Sequence, residues 1–129
     1  MEIGEATFAG CSGLNGTLTL HDGIVSIGAR AFEGTSLKGE LHLPKNLAAI
    51  GENTFCGCDF SGTLVLPDGL RSIGDKAFAY NWRLMGVLEF PEGIQSIGAG
   101  AFAQCRSIEG LVFPESLENI RYEVSWGEN

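Results

Sequence analysis

Five short stretches of the chain alternate apolar with other residues: TLTLH at 17–21, ELHLP at 40–44, TLVLP at 63–67, VLEFP at 87–91 and GLVFP at 110–114. A period of two is the pattern of a strand that buries one face. It predicts strands over 17–20, 40–43, 63–66, 87–90 and 111–113. Pro44, Pro67, Pro91 and Pro114 close four of them, with His21 in the first slot. Proline ends a strand because it has no N–H for the next ladder bond. Pro-Asp-Gly at 67–69, Pro-Glu-Gly at 91–93 and His-Asp-Gly at 21–23 then read as turns, in which Pro sets φ and Gly permits a positive φ. Two apolar residues three apart follow each turn, then a Gly expected to reverse the chain, then Ala-Phe or Thr-Phe in a short helical turn or tight loop.

The stretches belong to a longer repeat. Ile3, Ile27, Ile50, Ile73, Ile97 and Ile120 are spaced by 23 or 24 residues. Phe8, Phe32, Phe55, Phe78 and Phe102 keep step with them, as do Gly16, Gly39, Gly62, Gly86 and Gly110. Leu20, Leu43, Leu66, Phe90 and Phe113 form a further column, and Ile24, Leu47, Leu70, Ile94 and Leu117 another. Self-similarity at this period is the mark of a solenoid, in which one strand and a short return arm make a coil. The repeats run over about 3–26, 27–49, 50–72, 73–96 and 97–119, within a single domain over 1–129. Strands of successive coils stack in parallel about 4.8 Å apart. One coil cannot bury its own Phe, Ile and Leu, so its neighbours do so. Each buried Phe contributes about 1.5–3 kcal/mol of transfer free energy. GLVFP is one residue shorter after its Gly than its counterparts, so the last strand is expected to be bulged or shifted. IRYEVSW at 120–126 alternates instead of supplying another Gly and Ala-Phe, and reads as a final strand-like cap. The start lies in mid-coil, which reads as a piece of a longer array.

CSGLNGTLTLHDGIVSIGARAF at 11–32 closely resembles the BspA-like class of leucine-rich repeats, with Ile-Gly, Ala-Phe and the strand-ending Pro in register over about residues 3–120. The resemblance implies a leucine-rich-repeat solenoid, mostly β, of about five coils with one short parallel sheet and short helical or irregular return arms. It implies a surface-exposed or secreted protein, mostly bacterial, with a role in adhesion to host extracellular-matrix protein or in cell–cell contact.

Composition narrows the classes. Apolar residues make up 44% and charged residues 19%, which suits a packed core and not a disordered chain. Eight Lys and Arg against 16 Asp and Glu give a net charge of −8, which argues against a nucleic-acid groove or an anionic membrane surface. No apolar run reaches the length of a bilayer span, so no membrane insertion is expected. MEIGEATF has no basic segment followed by an apolar core, so no secretory leader is read in it.

Candidate chemistry changes this little. Cys11, Cys58 and Cys105 share one column, three residues after the Phe, with Thr35 and Asn81 between them. Two coils separate successive cysteines, which is about 10 Å at sheet spacing. A disulfide needs Cα atoms within about 4.4–6.8 Å, so these thiols are expected to be free. Cys56-Gly57-Cys58 lacks the spacing and the second pair of a zinc site. His21 and His42 have no nucleophile and carboxylate gathered around them by the pattern, and read as surface imidazoles. Gly98-Ala99-Gly100 lacks the third glycine and the helix of a phosphate loop. No catalytic residue, cofactor or metal is therefore expected.

The outward face of the sheet remains. Alternation places Thr17, Glu40, Thr63 and Val87 in one ladder and Thr19, His42, Val65, Glu89 and Val112 in another. Solenoids bind along such extended faces. The expected function is a non-enzymatic protein-binding module, with these nine residues as the candidate partner face. The alternative is a structural spacer array that binds nothing.

Overall fold

The computed structural model describes residues 2–114 apart from Ser12 and Leu14, so the expected cap at 120–126 lies outside the described residues. Ten strands follow one another: β1 (Glu2–Ile3), β2 (Asn15–Gly16), β3 (Ser26–Ile27), β4 (Ser36–His42), β5 (Ala49–Ile50), β6 (Asp59–Val65), β7 (Ser72–Ile73), β8 (Arg83–Glu89), β9 (Ser96–Ile97) and β10 (Ser107–Val112). They sort alternately into two parallel sheets. The larger runs β2-β4-β6-β8-β10 and the smaller β1-β3-β5-β7-β9, so each strand pairs with its counterpart one coil away. The leucine-rich-repeat solenoid is present, with parallel stacking as the period requires.

Two details differ from expectation. The return arm carries a second ladder of two-residue strands, and no helix occurs among the described residues. The N–H groups of Arg30, Phe32 and Gly34 donate to the carbonyls of Glu52, Thr54 and Cys56 in the next coil, at 2.8, 2.9 and 3.0 Å. Asn53, Phe55 and Gly57 do the same toward Asp75, Ala77 and Ala79. A helix would keep those donors for itself. The arm spends them between coils, and it can do so because two residues in each arm are left-handed, such as Asn53 (φ 55°) with Gly57 (φ 74°) and Lys76 (φ 56°) with Tyr80 (φ 66°).

The strands of the larger sheet also begin earlier than the alternation suggested. Leu37, Phe60, Leu84 and Ile108 are buried and extend the inward face upstream. Between this column and the expected one stand Gly39, Gly62 and Gly86 at φ 81°, 78° and 79°, a conformation that side chains with a Cβ resist. The pairing register shifts beside them, between Glu40 and His42. The expected irregularity of the last strand is present as a shift between Ile108 and Gly110.

The core follows the columns. Phe8, Phe32, Phe55, Phe78 and Phe102 stack ring on ring, with centroids 5.2, 5.5, 5.4 and 5.2 Å apart. Phe32, Phe55, Phe78 and Phe102 are buried, but Phe8 stays 38% exposed because only the following coil covers it among the described residues. The Phe column is thus continuous but not buried throughout. Phe60 meets Phe55 edge-on at 5.7 Å.

The glycine after each Ile does not reverse the chain. A Cβ on Gly28, Gly51 or Gly74 would lie 2.5–2.7 Å from the backbone nitrogen of Glu5, Ala29 or Glu52 in the preceding coil, and one on Gly98 would strike Asp75. These glycines allow close approach of two backbones. Their own N–H groups donate across it, from Gly28, Gly51, Gly74 and Gly98 to the carbonyls of Ile3, Ile27, Ile50 and Ile73 at 2.7–2.8 Å. The turns after the strands are closed by Ile24, Leu47, Leu70 and Ile94 donating to His21, Pro44, Pro67 and Pro91 at 3.0–3.1 Å. His21 thus holds the proline's place without loss of the turn, and Gly23, Gly69 and Gly93 keep negative φ in it.

Candidate functional site

Strands β4, β6, β8 and β10 each bury one side against the Phe stack and turn the other to solvent. All nine residues of the candidate face are exposed: Thr17, Thr19, Glu40, His42, Thr63, Val65, Val87, Glu89 and Val112. Backbone pairing puts Thr19 beside His42, His42 beside Val65 and Glu89 beside Val112, but it does not keep the first ladder in line, since Glu40 pairs with Ser61 and Thr63 with Met85 across the register shift at the glycines. Two shallow depressions lie between neighbouring coils on this face. One is lined by Glu40, His42, Lys45, Thr63, Val65 and Asp68, among others. The next shares Thr63, Val65 and Asp68 and adds Val87, Glu89 and Glu92.

The face is wider than the alternation indicated. The upstream halves of the strands add Ser36 and Lys38 on β4, Arg83 and Met85 on β8, and Ser107 and Glu109 on β10, all exposed. Its two ends differ in character. On β4 it presents Ser36, Lys38, Glu40 and His42. From β6 to β10 it presents Val65 (72% exposed), Met85 (52%), Val87 and Val112, with Trp82 (58%) just before β8. Residues missed in the sequence are therefore Trp82, Arg83, Met85 and Arg106. The signal for two of them was a spacing within the repeat: one residue separates Thr35 from Leu37 and Cys58 from Phe60, but two separate Asn81 from Leu84 and Cys105 from Ile108.

Electrostatics on the face are weak and local. His42 Nε2 lies 3.6 Å from Glu40 Oε1, and Arg83 Nε lies 3.6 Å from Asp59 Oδ1, all in solvent. Such exposed pairs contribute at most about 1 kcal/mol. Gly23 N–H donates to His21 Nδ1 at 2.8 Å, which engages that imidazole in the turn. Among the described residues, no group of three or more His, Cys, Asp and Glu could hold a metal ion.

The cysteine column has an interior role. All four cysteines are free, with Cys11 exposed and Cys58 and Cys105 buried. Cys58 Sγ donates to Phe32 O at 3.2 Å, Asn81 Nδ2 to Phe55 O at 2.9 Å, and Cys105 Sγ to Phe78 O at 3.1 Å. Each is a small donor reaching the Phe carbonyl of the coil before it. Burial pushes the Cys58 thiol up to about 11 and the Cys105 thiol to about 12. The Cys56 thiol is also raised, by burial and then by the charge of Glu33. Thiols held protonated in this way are poor nucleophiles and poor metal ligands.

The sequence matches the BspA type leucine-rich repeat region in six copies over residues 1–127. Comparison with curated proteins and with solved structures gave no match. No helix among the described residues is long and apolar enough to cross a membrane.

Proposed function

We propose that this chain, which belongs to the BspA-type leucine-rich-repeat family, is a non-enzymatic protein-binding module whose contact surface is the outward face of its larger sheet. One observation carries the reading: Val65, Met85, Val87 and Val112 stand exposed on one face from β6 to β10. Exposed apolar side chains gathered on one face mark contact sites more often than solvated ones. The repeated Ile-Gly and Phe positions of the arm cannot serve equally well, because packing dictates those residues in every coil. The family points to an adhesin-type protein, secreted or held at a bacterial surface, with a host extracellular-matrix protein as partner. The excess of Asp and Glu favours a partner with basic or neutral polar surface along the face as a whole, and an association weakened by salt.

The test is a pull-down against purified matrix proteins, repeated with Val65→Lys and with the double variant His42→Ala and Glu89→Lys. Retention by the parent and loss by both variants, with the thermal midpoint unchanged, is expected. Equal retention by the variants, or none by the parent, would replace this reading with the spacer. That second reading draws on the continuous Phe stack, which makes the coils a stiff rod whether or not anything binds.

A further inference from the structure

We infer that the anchor of this surface is Trp82 with Arg106, and that it takes a short segment of a partner protein carrying a carboxylate beside apolar side chains. The inference rests on the binding reading above and deepens it by naming the partner's chemistry.

The pair arises from an extra residue ahead of the strands of coils four and five. Between the buried donor column and the buried apolar column, β4 and β6 are preceded or opened by a single residue, Ser36 or Asp59. Coils four and five have Trp82-Arg83 and Arg106-Ser107 there instead. The ends of the segment are pinned, since Asn81, Leu84, Cys105 and Ile108 are all buried. The extra residue has only the outside to occupy, and Trp82 and Arg106 both form turns ahead of their strands. Because β8 and β10 pair, the two extra residues come together, with the Arg106 guanidinium carbon 5.8 Å from the centre of the Trp82 ring. Arg106 Nε also donates to Gln104 Oε1 at 3.0 Å, which steadies the side chain.

An indole 58% exposed is an unusual thing to leave in water. Trp, Tyr and Arg are the side chains that carry most binding energy in protein interfaces. In the chain Trp82 lies between Tyr80 and Met85, both of which are also exposed. The charge follows from Arg106. No carboxylate lies within ion-pair distance of it among the described residues, although the chain has twice as many acidic as basic groups. Arg83 beside it is offset by Asp59 at 3.6 Å. The fork of Arg106 is thus an available positive group beside an aromatic anchor, and a carboxylate meets it with two parallel hydrogen bonds. A polyanion would feel the net charge of −8, whereas one acidic group at about 8 Å screening length feels mainly the local arginine.

The experiment selects a displayed library of random 12-residue peptides on the immobilised full chain, in parallel with Trp82→Ala and Arg106→Gln. Both sites are on the surface, and circular dichroism with a thermal midpoint checks that the variants fold as the parent does. Expected are enriched peptides with Asp or Glu next to Leu, Phe or Trp, bound about thirty-fold more weakly by Trp82→Ala and about ten-fold more weakly by Arg106→Gln. Enrichment without acidic residues, or with no loss in either variant, overturns the inference. If binding survives both variants but is lost in Val65→Lys, the anchor is wrong and the face reading stands. If nothing is enriched while an array of acidic oligosaccharides is bound in a manner sensitive to Trp82→Ala, the partner is a glycan and the protein assignment falls.

Discussion

The return arm and the larger sheet repeat the same number of times, yet neighbouring coils meet in them very differently. In the arm, backbone approaches backbone so closely that a single added carbon at Gly51 or Gly74 would lie 2.5 Å from the nitrogen of Ala29 or Glu52. In the sheet, the outward neighbours His42 and Val65 need only share a solvent-facing row. The arm therefore repeats its Gly and Phe positions because backbone and rings there are pressed against the neighbouring coil. The sheet's outward side drifts from Thr19 through His42 and Val65 to Glu89, all of them exposed. Sameness along the solenoid measures packing, and variation marks where a partner can be chosen.

The sharpest way to break this comparison is to empty the shared interior. Phe55→Ala removes a fully buried ring with neighbours on both sides, and should cost about 3–5 kcal/mol in chemical denaturation. Phe8→Ala, at a ring 38% exposed, should cost clearly less. Equal losses would show that place in the stack is irrelevant. Next comes the arm itself. Gly74→Ala should destabilise by about 1–3 kcal/mol, since the obstructing atoms are backbone and cannot swing aside. A neutral result would mean the coils separate freely and the arm does not hold them.

The last effect should appear only in alkali. In the unfolded chain the thiols of Cys58 and Cys105 ionise near 9.0, but in the folded chain near about 11 and 12. Above pH 9 the unfolded state has released protons that the folded state still binds, so folding stability falls as pH rises from about 9 toward 12. Below pH 9 the contribution is intact. Replacing both with Thr, the residue at position 35 of the same column, should flatten that part of the profile relative to the parent. Parallel profiles from thermal melts at pH 8, 9, 10 and 11 would remove the cysteines from the account.

What the sequence disclosed follows the same division. The period, the parallel stacking and the Phe column could be read because identical residues recur at identical steps. The nine outward positions could be read because alternation is simple between a Gly and a Pro. The second sheet could not, since two-residue strands such as Ser72–Ile73 have no room to alternate. The upstream half of β4 was hidden by Gly39, which takes an inward place between Leu37 and Leu41 with no apolar side chain to mark it. The donor role of Asn81 was masked by its neighbours in the column, since Cys58 and Cys105 look like small apolar fillers until their bonds to Phe32 O and Phe78 O are seen. Trp82 and Arg106 were concealed as one extra residue between two buried columns, because an insertion reads as noise in a repeat until it is placed in space.

The recurrence of the arm's hydrogen bonds has a consequence for how such a chain changes over generations. Each coil meets its neighbours through the same two sets of bonds: Arg30 and Asn53 donate forward to Glu52 and Asp75, and Gly51 and Gly74 donate back to Ile27 and Ile50. Every junction therefore has the same chemistry. A whole coil can be duplicated or lost by recombination, and the two coils brought together find complementary edges already in place. Reach is then an inherited variable that shifts in steps of one coil, while a single inserted codon ahead of a strand alters the face and leaves the scaffold as it was.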